Sequence, residues 1–384
     1  MNERRSESAS ESRTDRLLVC NPASGSGDHA PDVRTRGTKR GFEVRETEAA
    51  GDARRFAREA ADGDDNGNGD TNDISLIAVA GGDGTVNEVI HGLLEADALD
   101  QVDIAVLPTG TANVFARTLD IPDLDAGFEA IDADTSRRVD VGVAGGRPFL
   151  NTCLAGLSAE ANASTPDEWK RQFGPLAYVL TTLRFLPEYE GLPLEIRFDE
   201  SGLDGDAGSV VGTGTESVVG SEFGSSTDTG VDGNADATDA EDGGNANDVD
   251  NANDDGTPST WRGNALLVLV GNAFRLPTVR RRSRDPIADG ALEVVVLERG
   301  RDGESLAVGA EDAPSVFDVD RDVIPGPITR VEASSVSITT RADDRGPVNF
   351  SLDGEPLSAT DLEVSIRERS LSVLVGPENP VRDQ

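Results

Sequence analysis

In the first third of the chain, short apolar runs recur, each followed by a loop of small polar residues and then by a stretch with helical spacing. Leu17-Leu18-Val19-Cys20 leads into Asn21-Pro22-Ala23-Ser24-Gly25-Ser26-Gly27. Leu76-Ile77-Ala78-Val79-Ala80 leads into Gly81-Gly82-Asp83-Gly84-Thr85, and the periodicity predicts a helix over about Val86 to Glu95. Ile104-Ala105-Val106-Leu107 leads into Pro108-Thr109-Gly110-Thr111-Ala112-Asn113, with Asn113 the expected N-cap of the helix after it. Between these units a weak helix is predicted near Pro31 to Lys39, a strand over Phe42–Arg45 and a helix near Asp52 to Ala61. Runs that are apolar on both faces suit parallel strands covered on both sides. The alternation predicts an α/β N-terminal domain with a parallel sheet. Loops at the carboxyl ends of such strands converge in the crevice where open sheets bind ligands.

From about Val139 the pattern changes. Val139 to Thr152, with Gly145-Gly146 between apolar stretches, predicts a hairpin. A helix is expected from about Leu176 to Leu186. Strands are expected near Leu194 to Phe198, Asn264 to Val270, Leu292 to Leu297, Val331 to Thr340 and Leu362 to Ile366. The expectation is a mostly antiparallel β-sandwich C-terminal domain. The domain reading is a tail over 1–14, an α/β domain over 15–140, a β-rich domain over 141–376 and a tail over 377–384. Residues 200–259 are mainly Gly, Asp, Asn, Ser and Thr, with Phe223 the sole aromatic and no Lys or Arg between Arg197 and Arg262. Such a stretch cannot bury enough apolar area to offset chain entropy, so it reads as a disordered acidic insertion. Residues 62–73 read as a shorter one.

Charge changes the picture next. The chain carries 72 acids against 35 bases, a formal net charge of −37, and its only lysines are Lys39 and Lys170. A surface this acidic repels itself at low ionic strength, and molar salt shortens the Debye length to about 3 Å. A salt-adapted, halophilic cytoplasm is the simplest account. No basic stripe exists to neutralise phosphates, which disfavours nucleic acid as a partner. Cys20 and Cys153 sit in apolar context and read as buried thiols. The start of the chain lacks an apolar signal core, and no run approaches the about 20 apolar residues of a membrane span. A soluble, cytoplasmic protein is expected, with a homodimer left open.

The candidate chemistry lies in the loops. Gly81, Gly82 and Gly84 let a ligand approach the backbone, and the following helix aims free N–H groups at that turn. This suits phosphate, with Asp83 acting through a bound metal ion. No Gly-x-x-x-x-Gly-Lys-Ser/Thr loop occurs, so this is not a P-loop protein. Read alone, Asp289-Gly290 and Asp353-Gly354-Glu355 are hairpin turns. The dense group Arg275, Arg280, Arg281, Arg282 and Arg284 suits either anionic headgroups or exposed pairing with nearby acids. Arg117, after Asn113, suits phosphate or an ion pair.

Taken together these segments resemble the diacylglycerol kinase catalytic family, which includes bacterial-type lipid kinases and sphingosine kinases. The matching elements are Asn21 to Gly25, Gly81-Gly82-Asp83-Gly84-Thr85-Val86-Asn87-Glu88, Leu107 to Asn113, Asp289-Gly290-Ala291-Leu292-Glu293-Val294 and Asp353-Gly354-Glu355. The resemblance covers roughly residues 15–198 and 261–376. It implies an ATP- and Mg²⁺-dependent kinase of a lipid hydroxyl, acting in the cleft between two domains and meeting its substrate peripherally at the membrane surface. It implies that Asn21, Pro22, Ser24, Gly25, Thr109, Gly110, Thr111 and Asn113 line the nucleotide pocket together with Gly81 to Thr85, Asn87 and Glu88. It makes Glu355 the general base with Asp353 the runner-up, and Asp289 a ligand of a second, structural Mg²⁺. Three departures fall toward the acceptor side. They are Asn113-Val114 where many relatives have Asn-Asp, Ala155 to Glu160 without the relatives' Asp, and a shortened glycine-rich stretch at Gly271 to Arg275. Two other readings stay open: an enzyme like the NAD kinases, which share Gly-Gly-Asp-Gly-Thr, and a non-catalytic nucleotide-binding regulator.

Overall fold

The computed structural model describes residues 15–62, 74–156, 191–199, 248–252, 258–273, 287–298, 328–341 and 346–376. Both chain tails, residues 63–73 of the insertion expected over 62–73, the helix expected over 176–186, most of the long insertion, Leu157 to Glu160 and the Arg275–Arg284 group lie outside those residues, while Asp62 ends α2.

Four parallel strands build the N-terminal side: β1 (Arg16–Cys20), β2 (Glu43–Glu46), β3 (Leu76–Gly81) and β4 (Asp103–Pro108). They lie in the order β4-β3-β1-β2, with Leu17 opposite Ile77 and Ile77 opposite Ile104. Every residue of β3 is buried, as its apolar run requires for a strand covered on both faces. The cover comes from α1 (Ala30–Lys39), α2 (Asp52–Asp62), α3 (Asp83–Glu95), the short α4 (Val114–Thr118) and α5 (Leu124–Ala133). Leu18, Val33, Ile77, Ile90, Leu107 and Phe128 share one core there. Among the described residues no helix is long and apolar enough to cross a membrane.

The remaining strands are largely antiparallel. They are β5 (Ser136–Ala144), β6 (Arg147–Phe149), β7 (Thr152–Ala155), β8 (Leu192–Asp199), β9 (Asp248–Ala252), β10 (Pro258–Gly271), β11 (Leu292–Glu298), β12 (Ile328–Ala333), β13 (Ser335–Thr340), β14 (Val348–Leu352), β15 (Glu355–Ala359) and β16 (Asp361–Leu374). Phe149, Cys153, Ile196, Trp261, Val294 and Phe350 meet in a second core. Trp261 is fully buried, and its Nε1 donates to Glu298 Oε1 at 2.8 Å, which satisfies the indole. Burial pushes the thiol of Cys20 up to about 11 and that of Cys153 further, so both remain protonated.

Hydrogen bonds join all these strands into one connected mixed sheet. The link is β16, which pairs antiparallel with β5 and β13 and parallel with β4, Ser372 lying opposite Asp103. The last strand therefore returns to the N-terminal parallel strands, beside β4.

Four local expectations are corrected. The stretch Val331 to Thr340 is two strands, because the chain turns at Ser334, whose N–H and Oγ both donate to Asp199 O. Part of the long insertion is ordered: β9 pairs with β10, Thr260 opposite Asp250. That ladder is made by main-chain groups, so composition does not announce it. Helix α3 starts at Asp83 rather than Val86, which puts Asp83, Gly84 and Thr85 in its first turn, with Gly82 at the N-cap position and Gly81 ending β3. Asn113 stands at the N-cap position of α4 but does not cap it.

Candidate active site

The loops after β1, β3 and β4 meet at one end of the parallel sheet, as three strands of matched register must deliver them. Main-chain bonds bring them together: Asn21 N–H donates to Ala80 O, and Thr109 N–H to Gly81 O. Asn21 Nδ2 donates to Thr85 Oγ1 at 3.1 Å, and Ser24 Oγ lies 2.7 Å from Thr109 Oγ1. The approach needs glycine in two places. A Cβ on Gly25, whose φ is +57°, would lie 2.2 Å from Thr109 O. A Cβ on Gly110 would lie 2.4 Å from the Cα of Gly82. Pro22, Thr111 and Ala112 complete the two outer loops, and Thr111 is exposed.

Asp83 ties the second loop to the third. Its Oδ2 accepts from Val114 N at 3.1 Å and its Oδ1 from Phe115 N at 3.0 Å. An aspartate from another helix thus caps α4, and charge favours this because a helix N-terminus is positive. Asn113, held at φ 47° and ψ 49°, turns inward instead: its Oδ1 accepts from Gly110 N and its Nδ2 donates to Gly110 O. This stiffens the third loop. Replacing Asp83 with Ala removes two charge-assisted bonds and should cost about 1–3 kcal/mol of stability in urea unfolding at fixed high salt, with Asp83→Asn losing less.

Two members of the same motif look away from the loops. Asn87 is buried on α3, and its Nδ2 donates to Pro148 O at 2.9 Å. Glu88 accepts from Gly51 N at 3.0 Å, which joins α3 to the start of α2. Helical spacing explains this, since residues three and four beyond Gly84 stand a full turn further along α3.

The far end of the chain completes the cluster. Leu352 pairs with Glu355 across Asp353 (φ 50°) and Gly354 (φ 101°), the positive angles of a two-residue hairpin turn. The turn tip is partly exposed, yet the Asp353 carboxylate points inward. Its Oδ2 accepts from Leu150 N at 2.6 Å, and its Oδ1 from Asn151 N and Thr152 N, each at 2.9 Å. Glu355 is exposed at the start of β15, and a Cβ on Gly84 would lie 3.7 Å from its Oε1. A hairpin more than two hundred and fifty residues downstream therefore sets a carboxylate over the first turn of α3.

Burial raises the Asp353 carboxyl to about 6, outweighing the three N–H donors that lower it, and the nearby charge of Asp83 adds to the rise. A carboxyl that holds its proton more tightly folded than unfolded stabilises the fold fully below its unfolded value near 4, and that contribution is lost as pH rises through about 6. The stability of wild type relative to Asp353→Asn should accordingly fall by up to about 3 kcal/mol between pH 4 and pH 7. Thermal unfolding of the two proteins at matched salt measures the difference.

Asp289 stands elsewhere. Its Oδ1 accepts from Ala291 N at 3.2 Å, and the next residue, Gly290, donates to Asp140 Oδ2 at 2.8 Å. Asp140 also accepts from Arg369 N, and burial raises its pKa. No sequence signal marks Asp140, an acid within an alternating strand. His29 was also unmarked, although its Nε2 lies 3.1 Å from Asn21 O and 3.3 Å from Ser24 Oγ. Its place just past the first loop, as one of only two histidines, was the available signal. Arg117 is exposed on α4. Among the described residues, no group of three or more His, Cys, Asp or Glu could hold a metal.

Comparison with known proteins adds a second line. Residues 15–144 match the model described as the diacylglycerol kinase catalytic domain. A diacylglycerol kinase of Bacillus subtilis (strain 168) is 33% identical over 212 residues, 53% of this chain and 66% of the relative. One from Staphylococcus haemolyticus (strain JCSC1435) is 31% identical over 196 residues, 50% of this chain and 56% of the relative. The aligned region thus spans less than two thirds of either relative. A crystal structure of a diacylglycerol kinase from Bacillus anthracis str. Sterne superposes with TM-score 0.54 at 20% identity, covering 94% of this chain and 97% of that one. A second crystal structure from the same organism reaches TM-score 0.61 at 21% identity, covering 97% and 98%. At these identities the likeness is one of fold.

Proposed function

We propose that this chain, whose residues 15–144 belong to the diacylglycerol kinase catalytic family, transfers the γ-phosphoryl group of ATP to a hydroxyl of a lipid. The observation that carries the reading is Glu355, whose carboxylate stands over Gly84 where three loops meet. In this reading the N–H groups around Gly81 to Thr85 receive phosphate, as the start of a helix does. The loops of Asn21, Ser24 and Gly25 and of Thr109, Gly110 and Asn113 hold the nucleotide. The acceptor oxygen attacks the γ-phosphorus, the bond from that phosphorus to the bridging oxygen of ADP breaks, and Glu355 takes the hydroxyl proton. The antiparallel half packs as a sandwich in this reading and receives the apolar part of the acceptor, met peripherally at a membrane surface. A glycerolipid with one free hydroxyl, ester- or ether-linked, is the acceptor class.

The residues present fit Mg²⁺, a hard cation that takes one or two carboxylates and completes its shell with phosphates and water. Asp83 would hold it through the lone pairs that its two N–H bonds leave open. When bound, the ion supplies charge neutralisation to the phosphates. A structural cation at Asp289 belongs to the same proposal.

The test is transfer from γ-labelled ATP to diacylglycerol, or to a glycerol ether with one free hydroxyl, dispersed in detergent with Mg²⁺ in roughly molar KCl. Label in the organic phase is the expected result. Label in a new water-soluble product would overturn it in favour of a nucleotide acceptor. ATP bound without transfer would overturn it in favour of a regulator.

A further inference from the structure

Asn87 belongs by sequence to the nucleotide motif but makes its bonds toward the other half of the molecule. Its Nδ2 donates to Pro148 O at 2.9 Å and lies 3.5 Å from Asp353 Oδ2. Pro148 lies two residues before Leu150, the first of the three N–H donors that grip Asp353. Asp353 in turn is one half of the two-residue turn that presents Glu355. The contacts close a ring: from Gly84 one helical turn along α3 to Asn87, across to Pro148, along the chain to Leu150, across to Asp353, and back through the hairpin to Glu355 above Gly84. Asn87 is 6% exposed, so no solvent replaces its bonds when the ring is broken.

We infer that Asn87 and Asp353 are positioning residues that clasp the glycine-rich helix to the hairpin and so fix where Glu355 stands over the phosphate site. Neither touches nucleotide or acceptor. The inference rests on the reading of Glu355 as the base. Its signature is a split: turnover depends on the clasp, whereas nucleotide binding, held by the three loops, does not. A displacement of the base by about 1 Å can lower a rate about a hundredfold.

The experiment measures kcat with diacylglycerol in detergent micelles and ATP affinity by calorimetry, in the full chain, for Asn87→Ala, Asn87→Asp and both changes in a Glu355→Gln background. Asn87→Ala should lower kcat about ten- to a hundredfold and leave the ATP Kd within about twofold. Asn87→Asp should be worse than Asn87→Ala, because it sets a carboxylate against Pro148 O and Asp353. A role in filling space alone gives the reverse order, since Asp keeps the volume and Ala does not. Combined with Glu355→Gln, Asn87→Ala should cost nothing further if it acts through that residue. Equal losses of ATP affinity and of kcat, or the Ala variant being the worse of the two, overturn the clasp. Hydrogen exchange separates this from failure of the kinase reading. If wild type transfers nothing, Asn87→Ala must still speed exchange of the Leu150, Asn151 and Thr152 amides without speeding that of β1 and β3, and unchanged exchange overturns the proposal.

Discussion

Glu355→Gln should lower kcat for lipid phosphorylation by about 10²–10⁴ while ATP still binds with nearly wild-type affinity. Gln keeps the shape of the side chain but cannot take the proton of the acceptor hydroxyl. The residue is exposed at the start of an edge strand, and its side chain approaches the site from above Gly84 rather than supporting the fold. The change should therefore move unfolding by no more than about 0.5 kcal/mol. Activity and stability are separable at this position, unlike at Asp83 or Asp353, whose carboxylates hold main-chain N–H groups. The measurement is single-turnover transfer of labelled phosphate beside calorimetric ATP binding. Unchanged turnover would remove Glu355 from the chemistry and leave Asp353 as the acid to test next.

Gly110→Ala should weaken ATP binding at least about tenfold and cost about 1–3 kcal/mol of stability. The added Cβ would meet Gly82 Cα at 2.4 Å, Asn113 Oδ1 at 2.8 Å and Gly82 N at 3.1 Å. Two of those atoms are backbone and have no rotamer with which to yield. The second and third loops must part, and Gly82 carries the motif that receives phosphate in the proposed reaction. Gly346→Ala is the control, because nothing lies within 4 Å of a Cβ there. Wild-type ATP affinity in Gly110→Ala would mean that the close contact of these loops does not shape the nucleotide pocket.

Much of this was legible along the chain. The β1, β3 and β4 strands announce themselves as apolar runs because a parallel strand buried on both faces needs them. The three loops were legible for the same reason, as glycine and small hydroxyl residues after each run. Asp353-Gly354 was readable as a turn, and the structure has that turn, but nothing local tells that its carboxylate reaches back to Leu150, Asn151 and Thr152. The single strand expected over Val331 to Thr340 looked continuous because a bend at Ser334 is set by Asp199, a residue of another strand. The β9 strand carries no run of apolar residues over Asp248–Ala252, and its main-chain pairing with β10 depends on a strand elsewhere in the chain.

The division has one physical reason. The sequence by itself determined the features that neighbours along the chain dictate: periodicity, turn chemistry, the alternation of strands and helices, and the types of residue in each loop. The tertiary structure alone decided which atoms meet. It made Asp83 a cap for α4, turned Asn87 away from the loops that its motif suggested, joined β16 to β4, and brought Glu355 over Gly84. Hydrogen bonds between residues dozens or hundreds of positions apart depend on where whole strands and helices lie, and no local pattern of residues encodes that distance.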